Sequence, residues 1–125
     1  MFLFISAAVS AQVDTSLCLS FHRGNFTYTN DSGHTVYLKR NGRMQQENIR
    51  ETGIVTRLKL RWISACSYEI KQVWSNSKAL RRNNGASTVV HITSAAKYSY
   101  EFACNCKGVE ALHKKGIVYK VNTGL

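Results

Sequence analysis

Between positions 54 and 63 apolar and basic side chains alternate, with Leu58, Leu60 and Trp62 interleaved among Arg57, Lys59 and Arg61. A period of two puts each set on its own side of an extended strand, one face for a core and one for water. On a helix the same residues would be scattered around the whole circumference. Turn signals divide the rest of the chain after Cys18 into segments of similar length. Residues 25–29 are closed by Asn30-Asp31-Ser32-Gly33, and residues 35–40 run into Asn41-Gly42, the strongest hairpin signal present. Residues 43–50 return from it to Glu51-Thr52-Gly53. Beyond Ser64-Ala65 come residues 66–74, a long polar and basic loop over 76–85, and a pair at 86–94 and 98–104. A lysine-rich loop with room for one helical turn then leads to residues 117–121. About eight strands at this spacing predict an all-β chain, an antiparallel up-and-down meander. Closure into a small barrel removes the exposed edges that a lone meander would leave; a curved open sheet or a sandwich is the alternative.

The chain has 125 residues, 44% of them hydrophobic, which suits one core rather than two. Residues 2–9 are apolar or small, and Val9-Ser10-Ala11 before Gln12 fits the small-x-small rule of signal-peptide cleavage. Residues 1–11 therefore read as a signal peptide. Its usual basic front end is missing, as if the native start lay upstream of Met1; a buried first strand is the other reading of the same residues. Residues 12–125 read as a single β domain, exported to the periplasm or beyond. No later stretch approaches the ~20 apolar residues of a spanning helix. Seventeen Lys and Arg against seven Asp and Glu give a formal net charge of +10, a balance that attracts polyanions through a salt-screened field.

The four cysteines are Cys18, Cys66, Cys104 and Cys106. An even number in a small exported chain points to disulfides, here with three full pairings. Cys18 with Cys66 is the favoured bridge. Cys66 with Cys104 or Cys106 competes with it, because Cys104 and Cys106 share a strand face and their direct bridge would be strained.

Catalysis finds no support in the motifs. The carboxylates are scattered, and no Gly-x-Ser-x-Gly elbow occurs. Cys66 reads as a disulfide partner rather than a nucleophile. Cys104, Cys106 and His113 do not have the spacing of a zinc site, and His22, His34 and His91 are isolated. No metal, cofactor or enzymatic activity is expected. Two features can carry binding instead. Trp62, Tyr68, Trp74, Tyr98, Tyr100 and Phe102 alternate so as to face one interior, which an eight-stranded barrel either fills or leaves open for one small ligand. Arg57, Lys59 and Arg61, with Arg81 and Arg82 in the long loop and Lys114-Lys115 further on, form the basic surface.

Residues 18–74 resemble a known family. Cys18, then Phe21-His22-Arg23-Gly24-Asn25-Phe26, then Trp62-Ile63-Ser64-Ala65-Cys66-Ser67-Tyr68 match its aromatic-x-x-Gly-x-Phe and Trp-x-x-x-Cys-x-Tyr segments. These are small exported β proteins of Gram-negative bacteria without an assigned activity, some of which carry the label of a DNA topoisomerase IV component. The resemblance implies an exported compartment and a β architecture. It does not extend the label to this chain, which has no phosphate-cradling loop, acidic metal cluster or tyrosine placed for strand cleavage. Cys104-Asn105-Cys106 and the high arginine content depart from that family's pattern. Gly24-Asn25-Phe26 is also similar to the Gly-x-aromatic segment that plugs one end of lipocalin-like barrels. The expected function is non-enzymatic binding of a small apolar molecule inside the barrel. The alternative is a basic or structural protein that engages an acidic polymer or a membrane surface. Specific nucleic-acid recognition is not expected.

Overall fold

The computed structural model describes residues 13–106 and 112–121, with the side chains of these except 105, 106 and 112–114. The expected signal peptide, residues 1–11, lies outside the described residues, as do the side chains of Cys106, His113 and Lys114. A short helix, α1 (Thr15–Leu19), precedes eight strands: β1 (Arg23–Thr29), β2 (Thr35–Asn41), β3 (Met44–Ile49), β4 (Ile54–Ser64), β5 (Ser67–Ser75), β6 (Ser87–Ala95), β7 (Ser99–Cys106) and β8 (Leu112–Lys120). They form a closed barrel in chain order, with each neighbouring pair antiparallel. Closure is made where Phe26 and Thr27 of β1 face Lys120 and Tyr119 of β8, so the fold is neither an open sheet nor a sandwich. Among the described residues no helix is long and apolar enough to cross a membrane.

The alternation in β4 holds: Leu58 and Leu60 are buried while Arg57, Lys59 and Arg61 are exposed. The Asn41-Gly42 hairpin forms as well. Asn41 Oδ1 accepts the amides of Arg43 and Met44, and Gly42 takes φ +103°, a value that a side chain would strain. The loop over 76–85 contains a one-turn 3-10 helix, Leu80–Asn83.

One local expectation needs correction. The lysine-rich segment is strand from Leu112 onward, so Lys115 lies on β8 and not in a loop. Gly116 of the same strand lies under the ring of Phe102. A Cβ there would come within 2.7 Å of Phe102 Cζ, so a bare backbone is what lets the ring approach β8 this closely. The N-terminal segment also folds locally, with Asp14 capping α1 by accepting the Ser16 amide at 2.9 Å.

One end of the barrel is plugged by that segment. Cys18 is disulfide-bonded to Cys66 at the β4–β5 turn, with a Cα–Cα distance of 5.2 Å. The tether sets Phe21 wholly inside the wall, edge-on to Tyr100 at 4.9 Å. His22 Nε2–H donates to the Ala65 carbonyl at 2.9 Å, and its ring stacks on Trp62 at 3.5 Å. Phe26, the aromatic of the Gly-x-Phe segment, is buried beside Phe21 at 5.9 Å. The favoured pairing of Cys18 with Cys66 is therefore the one formed, and the competing bridge from Cys66 to Cys104 is not; Cys104 is disulfide-bonded as well.

Candidate functional site

The period of two continues along β2 from Val36 through Leu38 to Arg40, and it carries a charged group into the core. Arg40 is only 3% exposed. Its guanidinium is met by acceptors on nearly every side: Nε donates to Gln45 Oε1 at 2.8 Å, Nη1 to the Phe21 carbonyl at 3.1 Å, and Nη2 to the hydroxyls of Tyr68 and Tyr100 at 3.0 and 2.7 Å. The two hydroxyls are 2.8 Å apart. Aromatic faces complete the cage, with Arg40 Cζ 4.7 Å from the ring centre of Tyr68 and 5.1 Å from that of Phe26. A buried cation is tolerated only when its protons are matched and its charge is spread, and this layer does both. Burial alone would lower the Arg40 pKa, but the two phenolic oxygens outweigh it and leave the group firmly cationic.

Above this layer the barrel is hollow. A cavity of ≈ 140 Å³ lies between the Arg40 layer and the far end. Leu38, Ile70, Val90, Phe102 and Val118 supply its apolar wall, while Gln45 and Tyr68 complete the floor. The polar side is built by Tyr28, Glu47 and Thr88. Gln45 Nε2 donates to Glu47 Oε2 at 2.9 Å, so a hydrogen-bonded chain runs from Arg40 up the wall to the carboxylate. The charge of Glu47, and then burial, push the Tyr28 hydroxyl well above the usual phenol range. Burial does the same to Tyr100, so both phenols remain neutral donors at ordinary pH.

Of the six aromatics expected in a pocket, Tyr68 and Phe102 line the cavity. Tyr100 sits behind the floor as part of the Arg40 layer, and Trp62 packs on Tyr68 at 4.6 Å near the plugged end, its indole N–H buried with no partner among the described residues. Trp74 and Tyr98 are corrections: they are 40% and 64% exposed and take no part in the cavity. In β5, Arg57 pairs with Trp74 but Leu58 with Gln72, which leaves Val73 as an extra residue. This bulge reverses the phase, turning Trp74 outward and Ser75 inward. Tyr98 precedes β7 and belongs to the turn from β6.

The sequence reading missed Tyr28, Arg40, Gln45 and Glu47. The signal was present in the phase of Val36-x-Leu38-x-Arg40 and of Phe26-x-Tyr28, which places the polar residue on the apolar face. On the outside, Arg57, Lys59, Arg61, Arg81 and Arg82 are all exposed as expected. Arg61 pairs with Glu69 at 3.0 Å, and Arg81 and Arg82 donate to the carbonyls of Ser75 and Ala79. Among the described residues no group of three or more metal-ligating side chains comes together.

Comparison with protein-family models, curated proteins and solved structures finds no match. The class is thus defined by the fold and the site: a closed eight-stranded antiparallel barrel, plugged through a disulfide at one end, with an amphipathic cavity above a buried arginine layer.

Proposed function

We propose that the protein is a non-enzymatic carrier or receptor that takes a small, mainly apolar molecule into the barrel. The observation that carries this reading is the ≈ 140 Å³ cavity with its predominantly aliphatic and aromatic wall. A comparable cavity, about 150 Å³, admits benzene, so the space suits one ring or a short branched chain. Arg40 donates to four protein acceptors and serves as a rigid floor rather than as a receptor for an anionic ligand. Tyr28, Glu47 and Thr88 along one wall suit a ligand with a single polar group at one end. Export to an oxidising compartment, periplasmic or extracellular, is part of the proposal. It is supported by the disulfides and by the resemblance to small exported bacterial β proteins.

The test is a fluorescence titration with benzene, toluene and indole derivatives in a Trp74→Phe background, which leaves Trp62 against Tyr68 as the reporter. The expected result is a saturable, salt-insensitive change that Thr88→Phe, a cavity-filling substitution, removes. A flat titration with a protein that remains folded would show a dry, unused void and would end this reading.

A further inference from the structure

The bulge at Val73 has a second consequence on the outside of the barrel. Trp74 emerges on the face formed by β2 to β5, where Lys39, Arg57, Lys59, Arg61 and Lys71 are all exposed. Glu69 is the one carboxylate on these outward positions, and Arg61 already holds it. Lys59 and Lys71 stand directly opposite each other across β4 and β5, a like-charge pair that destabilises a sheet unless an anion lies between. One row away Lys39, Gln46, Arg57 and Trp74 are neighbours in register across four strands. Gln46 Oε1 accepts Arg57 Nε at 3.3 Å, and the guanidinium lies 4.9 Å from the indole centre. The result is a track of cations with a flat aromatic set into it, continued past Ser75 by the exposed Arg81.

We propose that this face binds a linear acidic polysaccharide, a chain of pyranose rings bearing carboxylate or sulfate groups. The indole offers an apolar plane of the size of a sugar ring, and the flanking cations pair with the acidic substituents. A membrane fits less well, because the convex barrel wall meets a plane along few strands, and the exposed large apolar side chains described on β2 to β5, Trp74 opposite Arg57 and Ile63 near the end of β4, stand far apart along the sheet. Nucleic acid would share the charge, but this face offers the single exposed indole of Trp74 and not the series of aromatic platforms on which successive bases stack. The inference is independent of the cavity; it rests in part on the proposed export.

The experiment measures affinity against salt concentration for heparin, polygalacturonate, inorganic polyphosphate, oligo-dT and phosphatidylglycerol vesicles. Both polysaccharides are expected to bind saturably and more tightly than oligo-dT. Trp74→Ala should weaken them roughly three- to tenfold without changing the salt dependence, since stacking is not ionic. Lys59→Ser with Lys71→Ser should flatten that dependence. Polyphosphate, which has no rings, should not distinguish Trp74→Ala from the parent. Trp74 is exposed, and unchanged Trp62 emission confirms that the variant is folded. An equal loss for polyphosphate, no effect of Trp74→Ala on the polysaccharides, tighter binding of oligo-dT, or binding to vesicles alone would each overturn the proposal.

Discussion

Arg40 is the residue on which the interior depends. All its described hydrogen-bond partners are uncharged, so removing it does not strand a carboxylate but leaves an amide oxygen, a carbonyl and two phenols facing a void. Arg40→Ala should therefore lower unfolding stability by about 3–5 kcal/mol in urea titration. Arg40→Lys should recover only part, because an ammonium cannot reproduce the planar fork. A loss below about 1 kcal/mol for the alanine variant would mean that the layer is relaxed or hydrated and not a structural floor. The buried phenols set the alkaline limit. Burial raises the pKa of Tyr100, and Glu47 followed by burial raises that of Tyr28. Below the unfolded phenol pKa of about 10, both states are protonated and this contribution to stability is fully present. Above it the unfolded chain loses protons that the folded one keeps, so stability falls with rising pH until the folded pKa values are reached. The expected slope is about 1.4 kcal/mol per pH unit for each such tyrosine, and Tyr100→Phe should reduce it by one tyrosine's share. An unchanged slope in that variant would place the alkaline transition elsewhere.

At the scale of elements, the N-terminal segment and the ring of strands have separate supports. The ring is closed by its own hydrogen bonds, whereas the plug is held by the bridge across 48 residues of sequence and by the burial of Phe21. Cys18→Ser with Cys66→Ser should thus cost about 2–4 kcal/mol while leaving the far-ultraviolet β signal intact. Trp62 emission should shift to the red as the His22 stack loosens. Loss of the β signal would show that the plug nucleates the barrel. Gly116→Ala should displace the Phe102 ring towards the cavity and weaken any ligand held there, with strand content unchanged by circular dichroism. The sequence made the strand pattern legible because the outward positions Arg57, Lys59 and Arg61 of β4 are all basic and several hairpins, Asn41-Gly42 above all, have turn chemistry of their own. Two kinds of feature escaped it. Bulges at Val73 and Thr93 alter the phase within a strand without leaving a Gly or Pro to mark them, which is why Trp74 was expected inside. A charged residue at an inward position, as at Arg40, is legible only if the apolar phase is followed through it, since its satisfaction comes from Tyr68, Tyr100 and the Phe21 carbonyl, which are distant in sequence, as well as from Gln45 across the hairpin.

For the whole molecule, the formal net charge is +10, and the described Lys and Arg side chains other than Arg40 are exposed or half-exposed, while the barrel interior holds a cation whose described hydrogen-bond partners are neutral. The two surfaces should therefore respond differently to salt. Self-repulsion among exposed cations opposes the compact state and is screened by salt, whereas the Arg40 layer is buried and screened much less. Raising ionic strength from about 0.01 M to about 1 M shortens the Debye length from roughly 30 Å to roughly 3 Å. Over that range the melting temperature should rise and occupancy of the cavity should be unaffected. In Lys59→Ser with Lys71→Ser the rise should be smaller, because one directly opposed cation pair has gone. A melting temperature that falls with salt would mean that attractive ion pairs such as Arg61 with Glu69 outweigh the repulsion. The outer face would then be a balanced surface, and its cations would no longer be an unmet demand for an anion.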